Sequence, residues 1–220
     1  MESRSPLDAG KDGYDADLEF DERTDRALGA RGRDDRLFFR DAVEVESFVL
    51  TDYQVVAPVL ARMRRYRLLD LGCGYGRLAP LVSAFDCSEY LGVDRVLKRV
   101  EYARMRYGGG MLHFEHADAL GYRTARRFDA VWTSNVLQHL LGKDKLRLVE
   151  TAKLARAPGG VVLMREAEVI AGPREDLERR YAAADHARHM VPVPFAELAG
   201  AFEPLRLRRL GGIVLAASED

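Results

Sequence analysis

From residue 67 onward the chain alternates. Apolar, strand-like runs ("RLLDL", "EYLGVD", "MLHFEHA", "FDAVWTS", "GGVVLMRE") are separated by stretches of helical character ("GRLAPLVSAF", "VLKRVEYARMRYG", "GKDKLRLVETAKLARA"). A strand followed by a helix and another strand pairs in parallel, and helices then cover both faces of the sheet. The last segment breaks the rhythm. "PLRLRRL", then "GG", then "IVLAAS" reads as two strands joined by a tight glycine turn, an antiparallel hairpin at the sheet edge. The expectation is a doubly wound α/β fold: a mostly parallel seven-stranded sheet with helices on both faces and a C-terminal antiparallel hairpin.

Composition supports one domain with a sizeable core, because 47% of the 220 residues are hydrophobic. A formal net charge of -1 gives no global pull towards nucleic acid or acidic membranes. Cys73 and Cys87 are too few for a disulfide scaffold and form no C-x-x-C pair. The N-terminus lacks an apolar signal region, and no apolar run is long enough to span a bilayer, so a cytoplasmic protein is expected. Residues 1–42 form a polar N-terminal segment, expected to be partly disordered or to close as a lid, and residues 43–220 form the main domain. Within it, residues 43–66 read as helical, with Phe48, Val55, Val56, Val59, Leu60 and Met63 able to share a face.

The first strand runs into "DLGCGYGRLAP", with Gly72, Gly74 and Gly76 two apart. A ligand at the carboxyl end of a strand needs close approach to the backbone, and some turn positions need φ > 0; glycine answers both. The helix that follows offers free N–H groups. The spacing is G-x-G-x-G, whereas a dinucleotide fingerprint reads G-x-G-x-x-G and a phosphate-binding loop needs Gly-Lys-Ser/Thr. Asp70 ahead of the glycines suits a ligand with a cationic amino group. Asp94 ends the second strand about 20 residues past the loop, where an acid accepts hydrogen bonds from ribose hydroxyls. Asp118 follows the third strand, and Asn135 ends the fourth. All lie at the sheet edge where open α/β folds bind ligands.

Together, "LLDLGCGYGRLA", "LGVD", "HADAL", "FDAVWTSNVLQHL" and "LARAPGGVVLMRE" resemble the class I S-adenosylmethionine-dependent methyltransferases, from about residue 43 to the C-terminus. The resemblance implies that Asp70 and the Gly72–Gly76 loop cradle the methionine part of the cofactor. It also implies that Asp94 holds the ribose, Asp118 and Ala119 meet the adenine, and Asn135 lies near the sulfonium. A basic residue is not favoured at a helix N-terminus by the dipole, so Arg77 invites a function. A guanidinium binds carboxylate bidentately, and Arg77 is assigned to the carboxylate of the methionine part.

Methyl transfer from a sulfonium is an in-line displacement that asks the protein mainly to orient the acceptor and exclude water. A base is needed only where the acceptor loses a proton. His139 is the candidate base or orienter, and Glu166, at the end of the fifth strand, is a candidate pocket-lining carboxylate. Tyr14, His186 and His189 are candidates for acceptor recognition. No third ligand accompanies the two histidines, so no metal is expected.

After the fourth strand, where amino-methylating DNA enzymes carry an Asn/Asp-Pro-Pro-aromatic run, the chain reads "TSNVL", and no Pro-Cys nucleophile is present. DNA is therefore not the expected acceptor. The arginine clusters read as solvated edges rather than an RNA-binding face, and no membrane partner is expected. A small-molecule acceptor is favoured. One alternative is a peptide or protein amine, since "FDAVWTSNVLQHL" and "GYGR" are similar to runs in protein N-terminal α-amine methyltransferases. Another is a non-catalytic cofactor-binding or scaffold protein.

Overall fold

The computed structural model of the chain describes residues 52–137, 140, 142–167, 205–210 and 213–218. A helix over residues 52–60 (α1) leads into β1 (Tyr66–Leu71), a short helix α2 (Ala79–Val82), β2 (Cys87–Asp94) and α3 (Leu97–Tyr107). Then come β3 (Leu112–His116), β4 (Phe128–Ser134), α4 (Gly142–Ala155) and β5 (Arg156–Ala167). The strands β1 to β5 pair in parallel in the order β3-β2-β1-β4-β5. Beyond β5, β7 (Ile213–Ser218) pairs antiparallel with β5 and with β6 (Leu205–Leu210).

Side-chain alternation along the strands divides the core into two layers. Leu69, Leu71, Leu91, Val93, Val131, Val162 and Met164 point to one face and pack with Leu148, Val149 and Ala152 of α4. Leu68, Tyr90, Ala130, Trp132 and Leu163 point to the other and pack with Val56 and Leu60 of α1, Val82 of α2, and Val100 and Ala103 of α3. Every one of these residues is at most 6% exposed, and full burial of a side chain such as Phe128 is worth about 1.5–3 kcal/mol. Trp132 is part of this packing.

Two helical expectations need correction. The described part of the 43–66 segment is helical only over 52–60, because the chain turns at Ala61–Arg65 and enters β1 at Tyr66. Arg65 makes that turn with φ +46. The stretch "GRLAPLVSAF" yields four helical residues, since the glycine loop and its turns occupy the chain up to Leu78 and Pro80 sits in the first helical turn, where its missing N–H does no harm. By contrast α3 forms as expected. Arg104 and Arg106 complement the dipole of its last turn, and the Gly108 N–H reaches the Arg104 carbonyl at 2.9 Å to close it. Among the described residues no helix is long and apolar enough to cross a membrane.

Candidate functional site

The order β3-β2-β1-β4-β5 places a topological switch between β1 and β4, and the carboxyl ends of β1, β2 and β4 converge there. The chain leaves β1 through the glycine loop. Gly72 (φ +80) and Gly74 (φ +53) adopt the left-handed region that disfavours a Cβ. At Gly72 the reason is also packing, because a Cβ would stand 2.3 Å from Val136 Cγ2. At Gly74 a Cβ would meet nothing within 4 Å, so the loop is bare on that side. A Cβ on Gly76 would press on Phe114 and Ala103, so its absence lets the loop seat on β3 and α3.

Asp94 ties the loop to β2. Its Oδ2 accepts the Gly74 N–H at 2.9 Å and its Oδ1 accepts the Val96 N–H at 2.9 Å, next to the start of α3. The Gly72 and Cys73 N–H groups donate to the Val93 carbonyl at 2.8 and 3.0 Å. Asp94 thus stands beside the bare side of the loop with both oxygens oriented by backbone. Asp118 lies in the exposed turn after β3, and its Oδ1 accepts the Leu120 N–H at 2.9 Å. Ala119 buries its methyl in the core, which leaves its backbone as the part that can face a ligand.

Asp70 lies deeper than a surface carboxylate. It is 3% exposed on the α1 face of the sheet and accepts a 2.7 Å hydrogen bond from the Tyr90 hydroxyl. Burial pushes its carboxyl up to about 7, with Asp52 and Asp94 adding to the rise, while the Tyr90 hydrogen bond and Arg77 oppose it.

Arg77 belongs to a network that the sequence reading missed. Its Nε lies 2.9 Å from Asp52 Oδ2, and its Nη2 donates to Ser134 Oγ at 3.1 Å. The Ser134 hydroxyl donates to Asp52 Oδ1 at 2.9 Å, and Arg165 Nε approaches the same oxygen at 3.8 Å. Arg165 then donates from Nη1 to Asn135 Oδ1 at 2.7 Å. Asn135 itself turns the chain after β4 with φ +56, a conformation Asn tolerates better than most residues. Asp52 was hidden in an otherwise apolar helical run, and only "TD" ahead of that run hinted that a polar side chain opens the helix.

Glu166 is fully buried on the α4 face, where its Oε1 accepts the Val136 N–H at 3.0 Å. It therefore pins the turn that carries Asn135. The structure brings Asp70, the glycine loop, Arg77, Asp94, Asn135 and Glu166 to one edge of the sheet, with Asp118 and Ala119 on the turn beyond β3. His139, Tyr14, His186 and His189 lie outside the described residues.

The comparisons with known proteins agree with this geometry. A family model described as a methyltransferase domain matches residues 68–160, from β1 into β5. An O-methyltransferase, cnsE, from Penicillium expansum is 29% identical over 101 residues, covering 44% of this chain and 36% of that protein. A trans-aconitate 2-methyltransferase from Streptomyces avermitilis is 30% identical over 121 residues, covering 53% of this chain and 44% of that protein. The chain thus spans less than half the length of these curated relatives. Among solved structures, a DhpI complex with SAH superposes with a TM-score of 0.65 at 19% identity, covering 93% of this chain and 95% of that one. The N-methyltransferase NodS from Bradyrhizobium japonicum WM9, in complex with S-adenosylhomocysteine, gives 0.61 at 16% identity, covering 87% and 95%. With its glycine loop, its Asp94 and this strand order, the stretch matched by the methyltransferase-domain model, residues 68–160, has the architecture of a class I S-adenosylmethionine-dependent methyltransferase domain.

Proposed function

We propose that the chain transfers a methyl group from S-adenosylmethionine to a small-molecule acceptor by in-line displacement. The observation that carries this reading is the pairing of the bare side of Gly74 with Asp94, whose carboxylate is oriented beside it. These residues fit the cofactor. The ribose hydroxyls need an oriented acceptor such as Asp94, and close approach to the loop needs no Cβ at Gly74. The Gly72–Gly76 loop, Asp70 and Arg77 would hold the methionine part, Asp118 and Ala119 the adenine, and Asn135 the region of the sulfonium.

When bound, S-adenosylmethionine supplies the activated methyl group. The chain's own part is to bind, orient and exclude water. Glu166 shapes the acceptor side by holding the Val136 N–H, and His139 orients the acceptor or takes its proton. A lid formed by residues 1–42, with Tyr14, His186 and His189 on the acceptor, belongs to the same proposal, as does the hairpin of β6 and β7 completing a seven-stranded sheet. The small-molecule class is supported by the trans-aconitate 2-methyltransferase among the relatives.

Calorimetric titration with S-adenosylhomocysteine, with NADH as control, tests the cofactor assignment. Micromolar binding of the former alone, about -8 kcal/mol, is expected. Asp94→Ala should weaken it at least about tenfold, the loss expected for an acceptor of charge-assisted hydrogen bonds. Unchanged affinity in that variant would overturn the ribose assignment.

A further inference from the structure

Asp52 is 1% exposed, and its hydrogen-bond and ion-pair partners among the described residues, Arg77, Ser134 and Arg165, belong to the sheet edge. It comes from α1, outside the stretch that carries the glycine loop and the strand ends. Its two oxygens meet residues that follow β1 (Arg77), end β4 (Ser134) and lie near the end of β5 (Arg165). Two guanidinium groups share this one carboxylate, and burial first, then the nearby Arg77 charge, disfavour the charged form of Arg165. Without a counter-ion between them, repulsion would drive the less buried one, Arg77, outwards towards solvent.

We propose that Asp52 is a positioning residue for the cofactor site: with Ser134, it holds the Arg77 guanidinium in the orientation that receives the carboxylate of the cofactor's methionine part. This rests on the reading of Arg77 given above. The physical reason is pre-organisation. A free arginine side chain samples many rotamers, and a guanidinium already held through Nε and Nη2 does not lose that freedom again when a ligand carboxylate arrives. Ser134 reinforces the arrangement, since it donates to Asp52 and accepts from Arg77 at once.

Two ligands separate the cases. S-adenosylhomocysteine carries the amino-acid carboxylate, and 5′-methylthioadenosine lacks it. Arg77→Ala should weaken the first about tenfold or more and leave the second unchanged. Asp52→Asn keeps the shape and removes the charge, and it should do the same to a similar extent. In the Arg77→Ala background, Asp52→Asn should have no further effect, because the residue through which it acts is gone. A merely structural role would instead weaken both ligands and add to the loss from Arg77→Ala.

Unchanged or tighter S-adenosylhomocysteine binding in Asp52→Asn, with a loss in Arg77→Ala, would overturn the positioning role alone. No loss in Arg77→Ala would overturn the carboxylate reading and the positioning role with it. Should Asp52→Asn fail to fold, Ser134→Ala removes the second support without touching a charge. A loss of about threefold for S-adenosylhomocysteine only is then expected, and an unchanged affinity would overturn the proposal.

Discussion

The buried carboxyl of Asp70 makes a prediction about stability that needs no ligand. Its proton is held up to about 7 in the folded chain, against 3.8 for an ordinary aspartate. A rise of that size is worth about 4 kcal/mol at about 1.36 kcal/mol per unit. The sign follows from linkage: between the two values the folded state binds the proton and the unfolded state does not, so stability falls as pH rises. The penalty is absent below 3.8, grows through the window and is complete above about 7.

Asp70→Asn removes this titration while leaving an amide oxygen for the Tyr90 hydroxyl. Urea unfolding of both proteins from pH 4.5 to 8 measures the effect as a difference, which cancels the titration of other groups. The variant should gain on the parent as pH rises, by about 3 kcal/mol across that range. Tyr90→Phe should move the upper end of the window higher, because the phenol favours the ionised form. Parallel stability curves for Asp70→Asn and the parent would refute the reasoning, since they would mean that Asp70 ionises as readily folded as unfolded.

Three further substitutions extend the test. Gly74→Ala meets no protein atom but forces a side chain into φ +53, so it should cost about 1–2 kcal/mol of stability while lowering S-adenosylhomocysteine affinity well beyond what that strain explains; Gly72→Ala, which collides with Val136, should show its main loss in urea unfolding instead. His139→Ala should slow turnover by about a hundredfold, within the usual worth of a general base, and leave S-adenosylhomocysteine affinity within about twofold by calorimetry. Untouched turnover removes the base assignment.

Much of this fold is legible in the sequence itself. The strand "FDAVWTS" and the helix "LKRVEYARMRY" appear where apolar pattern and charge placed them, because burial on a parallel sheet leaves a strong periodic signal. The glycine loop and Asp94 were legible for a different reason: backbone demands restrict the residue types that can stand there. What stayed hidden was pairing between distant positions. Nothing in the sequence says that Tyr90 donates to Asp70, or that Asp52 reaches Ser134, 82 residues away. Such contacts depend on register and helix placement, which a pattern of residue types does not encode. Glu166 shows the same limit. Its place at the end of β5 is legible, but the hydrogen bond its carboxylate accepts from the Val136 N–H of the neighbouring turn is not.

The strand order has one more consequence. Every residue assigned to the cofactor on the β1–β3 side, from Asp70 to Ala119, comes from 50 consecutive positions and one half of the sheet. The other half, β4 and β5, meets that block at the polar seam of Asp52, Arg77 and Ser134. On the proposed assignment, changes of acceptor preference beyond Asn135 would leave this cofactor block intact, provided the seam is kept. A chain divided in this way would let the chemistry on one side of β1 change while the other side keeps its proposed hold on the methyl donor.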